Sequence, residues 1–132
     1  MNQVTASIGL VNYRTELIST AGKNQIIADE GNDAGGQNAG FTPSELLNAA
    51  LAACTDITLR MYAERKKWNL QSVTTIVSFH HDSASNTSAV KREISITGNL
   101  TPEQKQRLLD VANKCPLHEV LNNPIAIDTR IA

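Results

Sequence analysis

Aromatic side chains make up only 4% of this 132-residue chain, too few for a surface on which nucleic-acid bases could stack. Charge of one sign is also missing. Charged residues are 19% of the chain and the formal net charge is −1, which gives no electrostatic pull toward nucleic acid or an anionic membrane. No apolar run approaches the roughly 20 residues of a membrane-spanning helix. The first residues lack the basic start and apolar stretch of a secretory signal, so the sequence reads as cytoplasmic, with neither nucleic acid nor membrane as partner. There are only two cysteines, and in a reducing compartment they are expected to be free, catalytic or metal-bound rather than a standing disulfide. Glycine-rich phosphate loops, Ser-His-Asp patterns and paired catalytic carboxylates are absent as well. No Cys-x-x-Cys pair occurs, and only three histidines join the cysteines as soft donors, so neither a metal nor another cofactor is expected.

What the chain does have is one dominant helical stretch, residues 42–62. Thr42 can cap with its hydroxyl, Pro43 suits the first helical position, and Glu45 falls at the capping-box position. Strong helix formers follow without a break, predicting one helix from Pro43 to about Lys66. Leu46, Ala50, Ala53, Cys54, Ile57 and Met61 recur at helical spacing and predict a buried or half-buried apolar stripe. Asp56, Arg60 and Glu64, four apart, read as a solvated charge ladder on another face.

The remaining segments predict an α+β domain, mostly antiparallel and spanning residues 1–132 as one unit. Residues 4–19 are β-branched and partly alternating, as one strand, and a turn at 21–24 lets residues 25–28 return antiparallel. Residues 29–41 form an irregular loop with four glycines, either a loose surface loop or one that shields the Cys54 helix. Residues 71–81 and 89–98 make a second hairpin. Thr101-Pro102 and Gln104 start a second helix, Cys115-Pro116 starts a short third one, and residues 125–127 read as a final short strand.

From residue type alone, Cys54 has two readings. Unpaired cysteine is commonly a small core residue, and a helix interior offers no terminal dipole, so a reactive Cys54 needs a cation from elsewhere in the fold or from a second chain. Cys115 falls at an N-cap, where backbone N–H groups favour a thiolate, or it serves as an ordinary cap. His118 with Cys115 makes a Cys-x-x-His pair, a weak metal motif without further donors. Glu45 is accounted for by the capping box, and Lys91, Arg92 and Glu93 by a solvated strand face.

These segments together resemble the OsmC/Ohr family of small bacterial thiol peroxidases. The likeness rests on Gly40-Phe41-Thr42-Pro43-Ser44-Glu45-Leu46-Leu47, on Ala49-Ala50-Leu51-Ala52-Ala53-Cys54-Thr55 and on Leu59-Arg60-Met61-Tyr62-Ala63. It resumes at Gly98-Asn99-Leu100-Thr101 and at Cys115-Pro116-Leu117-His118. The resemblance implies an α+β fold with antiparallel sheets flanking long central helices, two chains intertwined as a homodimer, and active sites at their interface. It implies that Cys54 attacks an organic hydroperoxide and becomes a sulfenic acid, that Cys115 condenses with it to a disulfide, and that a dithiol reductant, the lipoyl type being one candidate, restores both thiols. In the best-known branches an arginine of the N-terminal hairpin, clamped by a glutamate directly after the proline, activates the thiol. Here Ser44 follows Pro43 and the acid is Glu45, about 100° further round the helix. Arg14 is the sole arginine of the N-terminal segment and hence the matching cation.

The expectation is therefore a cofactor-free thiol peroxidase with Cys54 as nucleophile, Cys115 as resolving thiol, Arg14 as activating cation and Glu45 as its orienter. Two other classes remain open. One is a non-enzymatic protein holding a small apolar ligand, and the other is a redox or metal sensor built on Cys115 and His118.

Overall fold

The computed structural model describes residues 2–132. The chain forms two compact units, Met1–Leu47 and Asn48–Ala132. The architecture is α+β, and the ladders between its strands are antiparallel, with one isolated parallel bridge between Ala28 and Phe41.

The first unit is a three-stranded sheet of order β1-β2-β3, with β1 Val4–Ile8, β2 Thr15–Ser19 and β3 Gln25–Ala28. Residues 4–19, expected as one strand, are two strands in register from Val4↔Ser19 to Ile8↔Thr15. Residues 9–14, which include Gly9 and Asn12, fold the chain back on itself. The expected turn at 21–24 does join β2 to β3. The loop that follows is not loose. Asp29, 2% exposed, accepts backbone N–H groups from Tyr13 at 3.2 Å and Glu30 at 2.8 Å through Oδ1, and from Gln37 and Ala39 at 3.1 Å through Oδ2. Two of the loop glycines are needed for close approach. A Cβ on Gly36 would strike the Glu30 carbonyl, and one on Gly40 the Ile27 carbonyl. The expected capping box forms: Thr42 Oγ1 accepts from Glu45 N at 3.2 Å, and Glu45 Oε1 from Thr42 N at 2.9 Å. It opens helix α1, Pro43–Lys66, at the predicted bounds.

The second unit contains most of α1, a long hairpin of β4 (Asn69–Asp82) and β5 (Thr87–Asn99), and helices α2 (Pro102–Ala112) and α3 (Pro116–Leu121). Its core is Leu59, Ala63, Leu70, Leu108, Val111 and Ala112, with Trp68, Val73, Ile94 and Ile96 packed against it. Burying each such leucine contributes about 2 kcal/mol. Both faces proposed for α1 are corrected here. The buried stripe is Leu51, Thr55, Leu59 and Ala63, whereas Ile57 and Met61 of the expected stripe are 57% and 66% exposed. A helix rich in alanine and leucine is apolar on more than one side, so its periodicity alone does not select the side that the hairpin and α2 cover. The supposed charge ladder is a docking device. Asp56 Oδ1 accepts from Thr75 Oγ1 at 2.6 Å, and Arg60 donates to the carbonyls of Leu70 and Gln71 at 2.7 and 3.0 Å.

Helix α2 starts at Thr101 with its full capping box. The strand expected at 125–127 is not present. Those residues belong to no ladder, and Ile125 and Ile127 are 58% and 84% exposed. Alternating apolar residues favour an extended chain, but a strand needs a neighbour to receive its N–H and C=O groups.

Burial by itself would raise the Asp29 pKa, but the four backbone N–H groups outweigh it and hold the carboxyl below its ordinary value. A carboxylate with a depressed folded-state pKa stabilises the fold above its unfolded pKa and loses that contribution as pH falls through the folded one. Asp29→Asn is therefore expected to unfold at lower urea concentration than wild type at neutral pH. The two proteins converge in strong acid, where wild type protonates its own carboxyl. Urea titrations across the pH range measure this.

Candidate active site

Cys54 lies midway along α1, partly exposed, at the edge between the buried Thr55 stripe and the exposed Ile57–Met61 side. Its neighbour Thr55 is completely buried. The Thr55 hydroxyl donates to the Leu51 carbonyl at 2.7 Å and accepts from Arg92 Nη1 at 3.1 Å, so both of its capacities are used.

Cys115 takes the expected N-cap position of α3, followed by Pro116 at N1, and is completely buried. Its Sγ accepts from His118 N at 3.4 Å and from Arg92 Nη1 at 3.8 Å. Both cysteines are free thiols.

Arg92 joins these elements. It was expected on a solvated face, but β5 alternates, and residue 92 falls on the same side as Ile94 and Ile96, half-buried. Beyond Thr55 and Cys115 on Nη1, its Nη2 donates to Asn113 Oδ1 at 3.0 Å and lies 3.2 Å from His118 Nδ1. A guanidinium can only donate, so His118 accepts at Nδ1 and carries its proton on Nε2. The alternation of β5, inward at 92, 94 and 96, was the signal that could have identified Arg92. Thr55 and Asn113 had no comparable signal, because both are ordinary residues until the guanidinium reaches them.

Arg14 is exposed in the connection just before β2 rather than on the first strand, and the Glu45 carboxylate caps its own helix. Both belong to the first unit, whereas Cys54 and Cys115 belong to the second. Among the described residues, no group of three or more His, Cys, Asp or Glu side chains is placed to hold a metal. At Cys115 and His118 the Arg92 guanidinium occupies the imidazole Nδ1, and its positive charge opposes a metal cation there.

A comparison with protein families matches residues 35–130 to the OsmC-like proteins. The chain belongs to the OsmC family. Solved structures share its fold. An osmotic stress and detoxification response protein of Psychrobacter arcticus is 21% identical, with TM-score 0.78, over 91% of this chain and 88% of that one. An OsmC-like protein of Mycoplasma pneumoniae is 20% identical, with TM-score 0.77, over 92% and 87%. The organic hydroperoxide resistance protein OhrB of Bacillus subtilis is 23% identical, with TM-score 0.62, over 91% and 89%. No curated protein matches the sequence. The α+β, antiparallel fold read from the sequence is thus that of OsmC-family structures, and no helix of this member, among the described residues, is long and apolar enough to cross a membrane.

The difference in burial has a direct chemical consequence. Native protein treated with iodoacetamide is expected to label Cys54 at least about tenfold faster than Cys115, because alkylation of a buried thiol waits for local opening. Peptide mapping by mass spectrometry over a time course measures the ratio.

Proposed function

We propose that this OsmC-family protein is a cysteine-based peroxidase that reduces organic hydroperoxides. The observation that carries the reading is that one arginine holds Cys115 together with the residue beside Cys54. Thr55, next to Cys54 in sequence, and the Cys115 sulfur are bound by the same nitrogen of Arg92. In the proposed cycle the Cys54 thiolate attacks the distal hydroperoxide oxygen. The O–O bond breaks, an alcohol leaves, and Cys54 becomes a sulfenic acid. Cys115 then closes the disulfide, releasing water, and an external dithiol reduces it by thiol–disulfide exchange. Arg14 as activating cation and Glu45 as its orienter stay part of the proposal. The exposure of Arg14 leaves its guanidinium available, whereas Glu45 would have to act while capping α1. Apolar neighbours on α1 favour a substrate with an organic tail, which gains by burial. The relationship to OhrB, an organic hydroperoxide resistance protein, supports the same substrate class. A reducing cytoplasm suits two free thiols.

We also propose that the working unit is a homodimer paired through the uncovered side of α1, where Ile57 and Met61 are 57% and 66% exposed beside Ala50 and Ala53. Large apolar side chains on one helix face lose their contact with water when a second copy covers them. Ile57→Lys with Met61→Lys is expected to halve the mass measured by sedimentation equilibrium while the circular dichroism spectrum keeps its shape. A mass equal to that of wild type rejects this face as the interface.

A second reading has its own observation. A cavity of about 280 Å³ is lined by Leu59, Ile94, Ile96, Leu108 and Leu109, with Lys105 beside it, and suits a small apolar ligand.

Intact-mass analysis after one equivalent of an alkyl hydroperoxide separates the two readings. The peroxidase is expected to lose about 2 Da in wild type and to accumulate a trappable sulfenic acid on Cys54 in Cys115→Ser. Unmodified thiols in both proteins, together with retention of a ligand that survives Cys54→Ser, sink the peroxidase and favour the binding protein.

A further inference from the structure

The Arg92 guanidinium has an unusual set of partners for a half-buried cation. Its four acceptors are Thr55 Oγ1 (3.1 Å), Cys115 Sγ (3.8 Å), Asn113 Oδ1 (3.0 Å) and His118 Nδ1 (3.2 Å). None is a carboxylate. The four belong to α1, to the Asn113 cap of α2 and to the start of α3, so one rigid planar fork fixes three elements to β5. Of the four, only the sulfur can form a disulfide.

We propose that Arg92 is a positioning residue for Cys115: it fixes the Cys115 sulfur against the turn of α1 that carries Cys54 and so sets the rate at which the two thiols join. This rests on the peroxidase reading for its physiological setting, though the geometry applies to any oxidant that converts Cys54 to an electrophilic sulfur. In the step concerned, Cys115 attacks the sulfur of the Cys54 sulfenic acid as a thiolate. The S–S bond forms, the S–O bond breaks, and the departing hydroxide takes the proton given up by Cys115 and leaves as water. The hydroperoxide has already supplied the oxidising equivalents. Among the described residues the hydrogen bonds of Arg92 include Cys115 and not Cys54, so its removal is expected to act on the second step. Holding two reacting groups in register is worth large rate factors, and small displacements cost up to about a hundredfold.

The test compares wild type with Arg92→Met in two oxidations. With one equivalent of an alkyl hydroperoxide and dimedone present, Arg92→Met is expected to form the Cys54 sulfenic acid at the wild-type rate. Its Cys54–Cys115 disulfide should appear about tenfold or more slowly, so the dimedone adduct replaces it. With diamide, an azodicarboxamide that takes two electrons from a dithiol and needs no peroxidase activity, the same slowing is expected. Arg60→Met is the control for a merely structural loss. It removes another arginine joining α1 to the hairpin, and it is expected to leave the disulfide rate within about twofold of wild type. If Arg92→Met does not fold, Thr55→Val and Asn113→Ala each remove one acceptor and are expected to slow closure about threefold. Equal diamide rates in wild type and in the Arg92 variant, or in both acceptor variants where that one does not fold, overturn the proposal. So does equal slowing in Arg60→Met. Failure of wild type to react with the hydroperoxide overturns the peroxidase reading, and the diamide comparison still decides the role of Arg92.

Discussion

The candidate site depends on one half-buried contact set, the guanidinium of Arg92 shared among Thr55, Asn113, Cys115 and His118. A cation taken partly out of water must have its N–H groups satisfied. Here the satisfaction comes from neutral groups on three different elements rather than from one acid. An Arg–carboxylate pair would tie β5 to a single place. Four neutral acceptors spread the attachment, so β5, the Thr55 turn of α1 and the Cys115 cap are held as one body. They also leave the positive charge without a formal counter-ion among those contacts. A charge in that position is worth more than at the surface, because the surrounding medium screens it less.

The local features of the sequence carried over to the structure, and the choices of face did not. The capping boxes at Thr42 and Thr101 and the Cys115 cap depend on side chains within three residues of one another, so they are readable without knowledge of the fold. Which side of α1 is buried depends on what the hairpin and α2 cover. With Leu51, Thr55, Leu59 and Ala63 on one side and Ala50, Ala53, Ile57 and Met61 on another, hydrophobic periodicity offers two comparable answers. The buried side even includes a threonine, acceptable there because Arg92 and the Leu51 carbonyl satisfy its hydroxyl. Charged residues misled for the same reason. Asp56, Arg60 and Arg92 read as solvated until their partners on distant segments are known.

The site divided in a similar way. The sequence singled out both cysteines, Cys115 by a cap that the structure keeps and Cys54 by its setting within the family resemblance, whereas the cation was sought on the N-terminal hairpin. The resemblance directs attention to Arg14, which is exposed in the first unit, while the structure holds a second arginine against Cys115. The two are not competitors, because the proposed chemistry has two steps. Attack on a hydroperoxide concerns Cys54, and disulfide closure concerns Cys115. A cation at each sulfur would let the steps be tuned apart, and the displacement of the acid from position 44 to Glu45 would bear only on the first.

Under the proposed cycle, the deeper burial of Cys115 relative to Cys54 also has a physical logic. A sulfenic acid is short-lived in the presence of further peroxide and is driven to irreversible acids unless a thiol intercepts it. A resolving thiol exposed to solvent would itself be a target for oxidants and for exchange with other disulfides. Cys115 is instead fully enclosed, with its lone pairs met by the His118 backbone N–H and by Arg92. Solvent oxidants can therefore reach it only through motion of the elements that hold it, while Arg92 keeps its sulfur against the turn of α1 that carries Cys54. In the proposed cycle that arrangement shelters Cys115 between turnovers and offers it to the oxidised Cys54. Because the acceptors are neutral, small adjustments of the clamp cost less than they would for a buried ion pair, since separating a guanidinium from a hydroxyl or an amide costs less than separating it from a carboxylate.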